Sequence, residues 1–300
     1  LAAIVIIPLT FAFIPRSSKD DAEKWPEIPE ESEQYQQDVA PPEPIVPVVQ
    51  NTIPDPISLL SDSNTIATTL MNNRSIGVTK NTITLFDGSE KENYSLPQDA
   101  GDITLVTPMD DLDLLFILTT KDQLYTFSPT EKKFIQQKNI PTLDHTKIKA
   151  LGIYMTYLYA MDSTMITRYT RAENGFENGN DWLKEKTDFN DATTMAIDED
   201  IYTAKNGTIT KFRKGEKVSF SQNPDIKNAF IIYTTEDTKF MWILDKENNK
   251  LFKTQKSTGE KLDEYVHEQF ANTQTLFVDE KNNTAAISTS DGIFSFELAS

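Results

Sequence analysis

The sequence predicts an all-β fold, a six-bladed β-propeller whose N-terminal strand closes the last blade. Three observations carry that expectation. One fragment returns six times, as Ile83-Thr-Leu-Phe86, Leu124-Tyr-Thr-Phe127, Ile166-Thr-Arg-Tyr169, Ile209-Thr-Lys-Phe212, Leu251-Phe-Lys-Thr254 and Ile293-Phe-Ser-Phe296, at steps of 41, 42, 43, 42 and 42 residues. A recurrence this regular marks a unit that buries its apolar face only by stacking on copies of itself. Each fragment also follows a second apolar segment across a short polar turn. Finally, the last unit stops after its third strand, while Ile57-Ser-Leu-Leu60, ahead of the first unit, supplies the missing one. Pairing the two ends removes an open sheet edge.

Within each unit the elements follow in order. The innermost runs are Ile66 to Leu70, Ile103 to Val106, Ile148 to Ile153, Thr193 to Ile197, Ala229 to Tyr233 and Thr275 to Val278. Second runs such as Leu115-Phe-Ile-Leu118 and Met241-Trp-Ile-Leu244 precede the recurring fragment. The turns between them, Lys80-Asn81-Thr82, Lys121-Asp122-Gln123, Lys205-Asn206-Gly207 and Ser290-Asp291-Gly292, use residues that tolerate positive φ or bond their own backbone, a hairpin signal. A fourth, more polar run closes several units, as in Phe134-Ile135 and Leu262 to Val266. Runs of four to seven residues rich in Ile, Thr, Val, Phe and Tyr exclude a helical solenoid of the same period. A closed ring of six such units accounts for residues 57–300.

The N-terminal part reads differently. Leu1 to Ile14 carry no charge and are almost all apolar, so residues 1–15 are expected to be the downstream part of a membrane segment, which needs about 20 such residues. The apolar region of a signal peptide is the alternative. Residues 16–56 hold eight of the 15 prolines and ten acidic residues against Arg16, Lys19 and Lys24, the composition of an extended, solvated linker. An acidic flank places the domain that follows outside the membrane, because basic flanks stay in the cytoplasm. The expected localisation is therefore membrane-anchored and extracytoplasmic.

In the fourth unit, Met195-Ala-Ile-Asp-Glu-Asp-Ile-Tyr-Thr-Ala-Lys-Asn-Gly-Thr-Ile-Thr-Lys-Phe212 resembles the NHL-type repeat, and Leu276-Phe-Val-Asp279 through Asp291-Gly-Ile-Phe-Ser-Phe296 is similar to a second copy. Repeats one and three lack the Asp, and most of the family's glycines are absent. The resemblance implies a propeller over residues 57–300. With the apolar segment and polar linker, it implies kinship with bacterial membrane-tethered propellers. Other NHL-like propellers bind protein or RNA, or act as lyases with a histidine-ligated zinc.

The net charge of −17 argues against nucleic acid as a partner, since such affinity comes from Lys and Arg against phosphates. There are no cysteines, which removes disulfides and thiolate metal sites. The two histidines, His145 and His267, are too few for a zinc centre of three protein ligands and are expected to be ordinary surface residues. No nucleophile elbow, phosphate-binding glycine loop or HExxH motif occurs. No cofactor is expected.

Two charge patterns remain. Acidic clusters recur at the turn between first and second strands, and Asp111, Asp113, Asp198, Asp200 and Asp279 are the candidates for a divalent cation, although Ca²⁺ asks for six to eight oxygens and turn chemistry alone explains Asp there. On the opposite face, Lys80, Lys121, Lys205 and Lys246 fall at matching turns and are the candidates for binding an anionic polymer or an acidic protein segment. The function expected is that of a non-enzymatic binding or scaffolding module. The alternative is an enzyme or sensor whose carboxylates and hydroxyls meet in the central funnel. Paired, buried carboxylates there would favour catalysis. A lining of Thr, Ala, Val and Ile would favour binding.

Overall fold

Repeating apolar runs of this length must hydrogen-bond as strands and cover one another as sheets, and the computed structural model shows that they do. It describes residues 50–298 except 73, 88–89, 139–142 and 174. The expected membrane segment, and the linker as far as residue 49, lie outside the described residues. Among the described residues no helix is long and apolar enough to cross a membrane.

Six sheets succeed one another along the chain. Blade 1 is Thr65–Met71, Arg74–Thr79, Thr82–Asp87 and Glu90–Ser95, hydrogen-bonded in that order. Blade 2 is Ile103–Met109, Leu114–Thr119, Leu124–Ser128 and Lys133–Gln136. Blade 3 runs Ala150–Tyr154, Tyr157–Met161 and Ile166–Ala172, with its outer strand broken into Gly175–Phe176 and Asn180–Asp181. Blade 4 is Ala192–Ile197, Ile201–Lys205, Thr208–Arg213 and Glu216–Val218. Blade 5 is Ile231–Tyr233, Phe240–Asp245, Lys250–Gln255 and Lys261–Val266. Blade 6 is Thr275–Asp279, Thr284–Thr289 and Gly292–Glu297. Every recurring fragment is the third strand of a blade.

Burial follows the strand's place in the blade. Leu114–Thr119 and Phe240–Asp245 are buried almost throughout, because blades cover both of their faces. Glu90–Ser95 is mostly exposed, as an outer edge should be. The six innermost strands each contact the next, and the sixth contacts the first, so the ring is closed. At the seam the Thr68 N–H donates to Thr275 Oγ1 at 2.8 Å, a bond between residues 207 positions apart.

The ends meet as expected. Ile57–Leu60 pairs antiparallel with Gly292–Glu297, with Ile57 opposite Ser295 and Leu60 opposite Ile293. A second strand was not anticipated: Gln50–Thr52, in the stretch assigned to linker, pairs in parallel with Lys261–Val266 of blade 5. It is three polar residues held by backbone bonds, so it carries neither alternation nor an apolar run to betray it. Between the two strands Ile53 is buried to 3%, packed with Tyr265, Phe270, Phe296 and Leu298. The N-terminal segment thus straps blade 5 to blade 6.

Gly292 shows how tight the seam is. Its φ is +146°, and a Cβ there would lie 1.9 Å from the Leu60 carbonyl oxygen. Gly292→Ala is expected to lose about 2 kcal/mol, read as a lower urea midpoint. Wild-type stability in this variant would show that the closing strand yields freely.

Candidate functional site

Six parallel innermost strands leave a channel along their common axis. Here it is a cavity of about 960 Å³. Its wall receives Ala67, Val106, Gly152, Ala196, Ile232 and Leu276, one from each blade, with Thr68, Thr107, Thr194 and Thr275 between them. This is the apolar and hydroxyl lining that the innermost runs predict.

One mouth is acidic. The turns at the C-terminal ends of the innermost strands bring Asp110 and Asp111 from blade 2, Glu236 and Asp237 from blade 5, and Asp279 and Glu280 from blade 6 to the rim, with Tyr154, Met155 and Lys281 beside them. Burial against the rim pushes the Asp110 carboxyl up. The Asn72 N–H works against this, and the like charges of Asp237, Asp111 and Asp113 add to it. Asp237 belongs to blade 5, opposite blade 2 in the ring, so its charge acts across the mouth. Burial, then the charges of Glu236, Glu199, Asp198 and Asp200, push the Tyr154 hydroxyl up. Tyr233 is raised by burial and then by Asp110, Glu280 and Asp279. Three groups from three blades thus report one negative field.

Not every acid on this face is available. Asp113 ties blade 2 to blade 1, accepting from Asn72 Nδ2 at 3.1 Å, and also takes the Thr130 N–H at 3.2 Å. Asp198 accepts from Thr234 Oγ1 of blade 5 at 3.1 Å and from the Asp200 N–H at 2.9 Å. Asp200 is clamped by Arg213 at 2.9 and 2.7 Å and by Lys211 at 2.8 Å. Asp279 closes its own turn on the Lys281 and Asn282 N–H groups. Glu280 takes the Lys239 and Phe240 N–H groups and Trp242 Nε1 of blade 5. Of the five candidate cation ligands, then, four serve turns, clamps or blade junctions, and the five are spread over the turns of three blades, Asp111 with Asp113, Asp198 with Asp200, and Asp279. Asp111, like Glu236 and Asp237, lines the rim without a salt bridge among the described residues.

The four lysines lie at the turns between second and third strands, on the opposite face. Lys205 is bound to Asp188 Oδ2 at 2.5 Å. Lys121 donates to the Asp99 carbonyl at 2.7 Å. Lys246 lies 4.3 Å from the centre of the Phe230 ring, and burial lowers its pKa. Lys80 is exposed. They form a rim but do not converge.

Both histidines are partly covered, their side chains 25% and 10% exposed for His145 and His267. His145 Nδ1 and its own N–H both meet Asp122 Oδ1 at 2.7 Å, and Asp144 completes a group with the spacing of a metal site. Asp144 is held at about 2 by Lys147 first and Thr146 next, so this group already has its own cations and donors. No spacing signalled it, because Asp122 lies in a turn of blade 2 and His145, 23 residues on, in the loop that leads to blade 3. His267 is 10% exposed on its side chain and packs edge-on against Phe296 and Phe270, a core role rather than a surface one.

No family model matches the chain, and no curated protein matches it. Solved structures do. PorZ, a surface component of the type-IX secretion system of Porphyromonas gingivalis, aligns with a TM-score of 0.52 at 11% identity over 82% of this chain. The chain spans only 38% of PorZ. Virginiamycin B lyase from Staphylococcus aureus aligns at 0.53 and 12% identity, over 78% of this chain and 80% of that one. The Pan2 WD40 domain of Neurospora crassa aligns at 0.52 and 8%, over 77% and 74%. These likenesses speak to fold alone, and with the closed ring of six sheets they place the chain among six-bladed β-propellers.

Proposed function

We propose that this chain is a membrane-tethered, NHL-like propeller that acts as a non-enzymatic binding module, engaging a protein partner through the acidic mouth of its funnel. The observation that carries this reading is the division of labour among the acids on that face. Some latch blades together, whereas Asp111, Glu236 and Asp237 stand at the rim of an open cavity and form no salt bridge among the described residues. Loops from several blades converging on a rigid frame are what a recognition surface needs. The apolar and hydroxyl wall supports binding over catalysis, since among the described residues no acid that lines it is paired with a base that lines it. The lysine rim is the weaker surface, because three of its four side chains are engaged within the chain. The tether rests on composition: the uncharged apolar start and the acidic, proline-rich stretch after it.

A photo-crosslinking residue placed at Thr156 on the acidic face, at Lys80 on the lysine face and at Ile135 on the outer rim tests the reading in the native host. A discrete protein adduct from Thr156, with little from the other two, is expected. Adducts from none of the three positions would overturn it.

A further inference from the structure

The funnel has an open apolar mouth as well as charges, and together they specify an occupant. Met155 lines the cavity and is 56% exposed, and Leu112, next to Asp111 in the neighbouring blade, is 44% exposed. These are two of the few large apolar side chains among the described residues that face water. Methionine adapts its shape to what it meets and is favoured at binding surfaces. Around them stand Asp110, Asp111, Glu236 and Asp237; among the described residues Lys281 lines the same rim, and Lys256 is held beside it by the Thr235 carbonyl and Asp198.

Resting on the binding-module reading, we infer that the mouth takes an extended polypeptide segment carrying Lys or Arg together with an apolar side chain, from a partner protein. The apolar residue sits on Met155, and the cations meet the carboxylates contributed by blades 2 and 5.

Other occupants fit less well. The chain's own linker carries ten acids against three bases and is repelled by this face. A divalent cation needs oxygens gathered at one point, whereas these come from separate blades. The one group of metal spacing among the described residues, Asp122 with Asp144 and His145, is elsewhere. A small organic cation would leave Met155 uncovered. The segment is recognised by complementary charge, which speeds encounter and rejects acidic competitors, and by apolar contact, which fixes where along the segment the mouth closes.

The test uses the full chain and a short fluorescein-labelled peptide of Gly, Lys and Leu, followed by fluorescence anisotropy. Companion peptides carry Glu for Lys, or Ser for Leu. Three protein variants are compared with wild type: the mouth set Asp111→Asn, Glu236→Gln and Asp237→Asn together; an outer set of equal charge change, Asp87→Asn, Glu90→Gln and Glu131→Gln together; and Met155→Ser. Each lost carboxylate contact is expected to weaken binding about two- to threefold, so the mouth set loses about tenfold and the outer set less than about twofold. Met155→Ser loses about fivefold. The Glu peptide does not bind and the Ser peptide binds less tightly. Equal losses from the two acid sets, or a Ser peptide as tight as the Leu one, would reduce the effect to bulk attraction and overturn the inference. All six substituted acids are exposed, and unchanged thermal melts confirm that the variants fold. Crosslinks from Thr156 that persist alongside such a result would sink the cationic segment and leave the binding module standing.

Discussion

Replacing Ile53 by alanine is expected to cost about 3–4 kcal/mol of folding stability, whereas Ile57→Ala, in the strand that follows, is expected to cost less than about 0.5 kcal/mol. The contrast follows from where the two side chains end. Ile53 is 3% exposed, wedged among Tyr265 and Phe270 of the blade 5 side and Phe296 and Leu298 of the blade 6 side. Ile57 is 65% exposed although its backbone belongs to the closing strand. Truncating Ile53 removes apolar burial and leaves a void that the surrounding rings close only in part. The loss has a ceiling, because the strap can detach locally at the free energy that holds it. Hydrogen exchange separates the two outcomes. If the strap lets go, the amides of Lys261–Val266 that face Gln50–Thr52 exchange faster while the blade interiors stay protected. Closure joins residues at the extremes of the chain, so the lost stability should appear mainly as faster unfolding. An Ile57→Ala variant as damaged as Ile53→Ala would show that the seam is held by the strand's side chains rather than by this wedge.

The period, the order of strands within a blade and the closure by Ile57–Leu60 were legible because stacking writes itself into a sequence. A strand covered on both faces must be apolar at every position, as Leu115-Phe-Ile-Leu118 is, and its turn must admit positive φ, as Asp122 and Asn206 do at +58° and +50°. The strand at Gln50–Thr52 was hidden because it contributes hydrogen bonds and no apolar side chain. The broken outer strand of blade 3 was hidden because its two pieces, Gly175–Phe176 and Asn180–Asp181, are too short to show an apolar run or an alternation. At the candidate site, sequence placed the acidic clusters on one face through the turn they occupy. It could not sort them, because the sorting is done by partners distant in the chain. Asp113 meets Asn72, Asp198 meets Thr234, and Glu280 meets Trp242. Asp111 and Asp113 look alike in the sequence and differ only in what stands opposite. The same holds for the lysines, where Asp188 claims Lys205 and Phe230 underlies Lys246.

Asp200→Asn is expected to lower stability by about 3 kcal/mol at neutral pH, and the deficit should shrink in acid. Asp200 is 3% exposed and receives both Arg213 and Lys211. Removing its charge leaves Lys211, only 13% exposed and lying over the Tyr202 ring, without its anion, which is the costly way to break a buried pair. Arg213 is 56% exposed and can turn to water, which keeps the loss at the lower end of the range for buried pairs. Burial by itself would raise the Asp200 carboxyl, but the hydrogen bonds from Arg213 and Lys211 override it and hold the group below its usual value. The unfolded chain, with a carboxyl near 3.9, therefore binds a proton before the folded one does. Its contribution is complete above that value and is lost as pH falls through the lower folded value. Wild type and variant should then differ most at neutral pH and converge in strong acid, a comparison in which the many other carboxylates cancel. The double variant Asp200→Asn/Lys211→Met should recover most of the loss, because it withdraws the stranded cation along with its partner. A deficit that stays constant down to strong acid, or a double variant no better than the single one, would mean that the loss comes from the poor fit of the Asn amide to the Arg213 and Lys211 donors rather than from the missing charge.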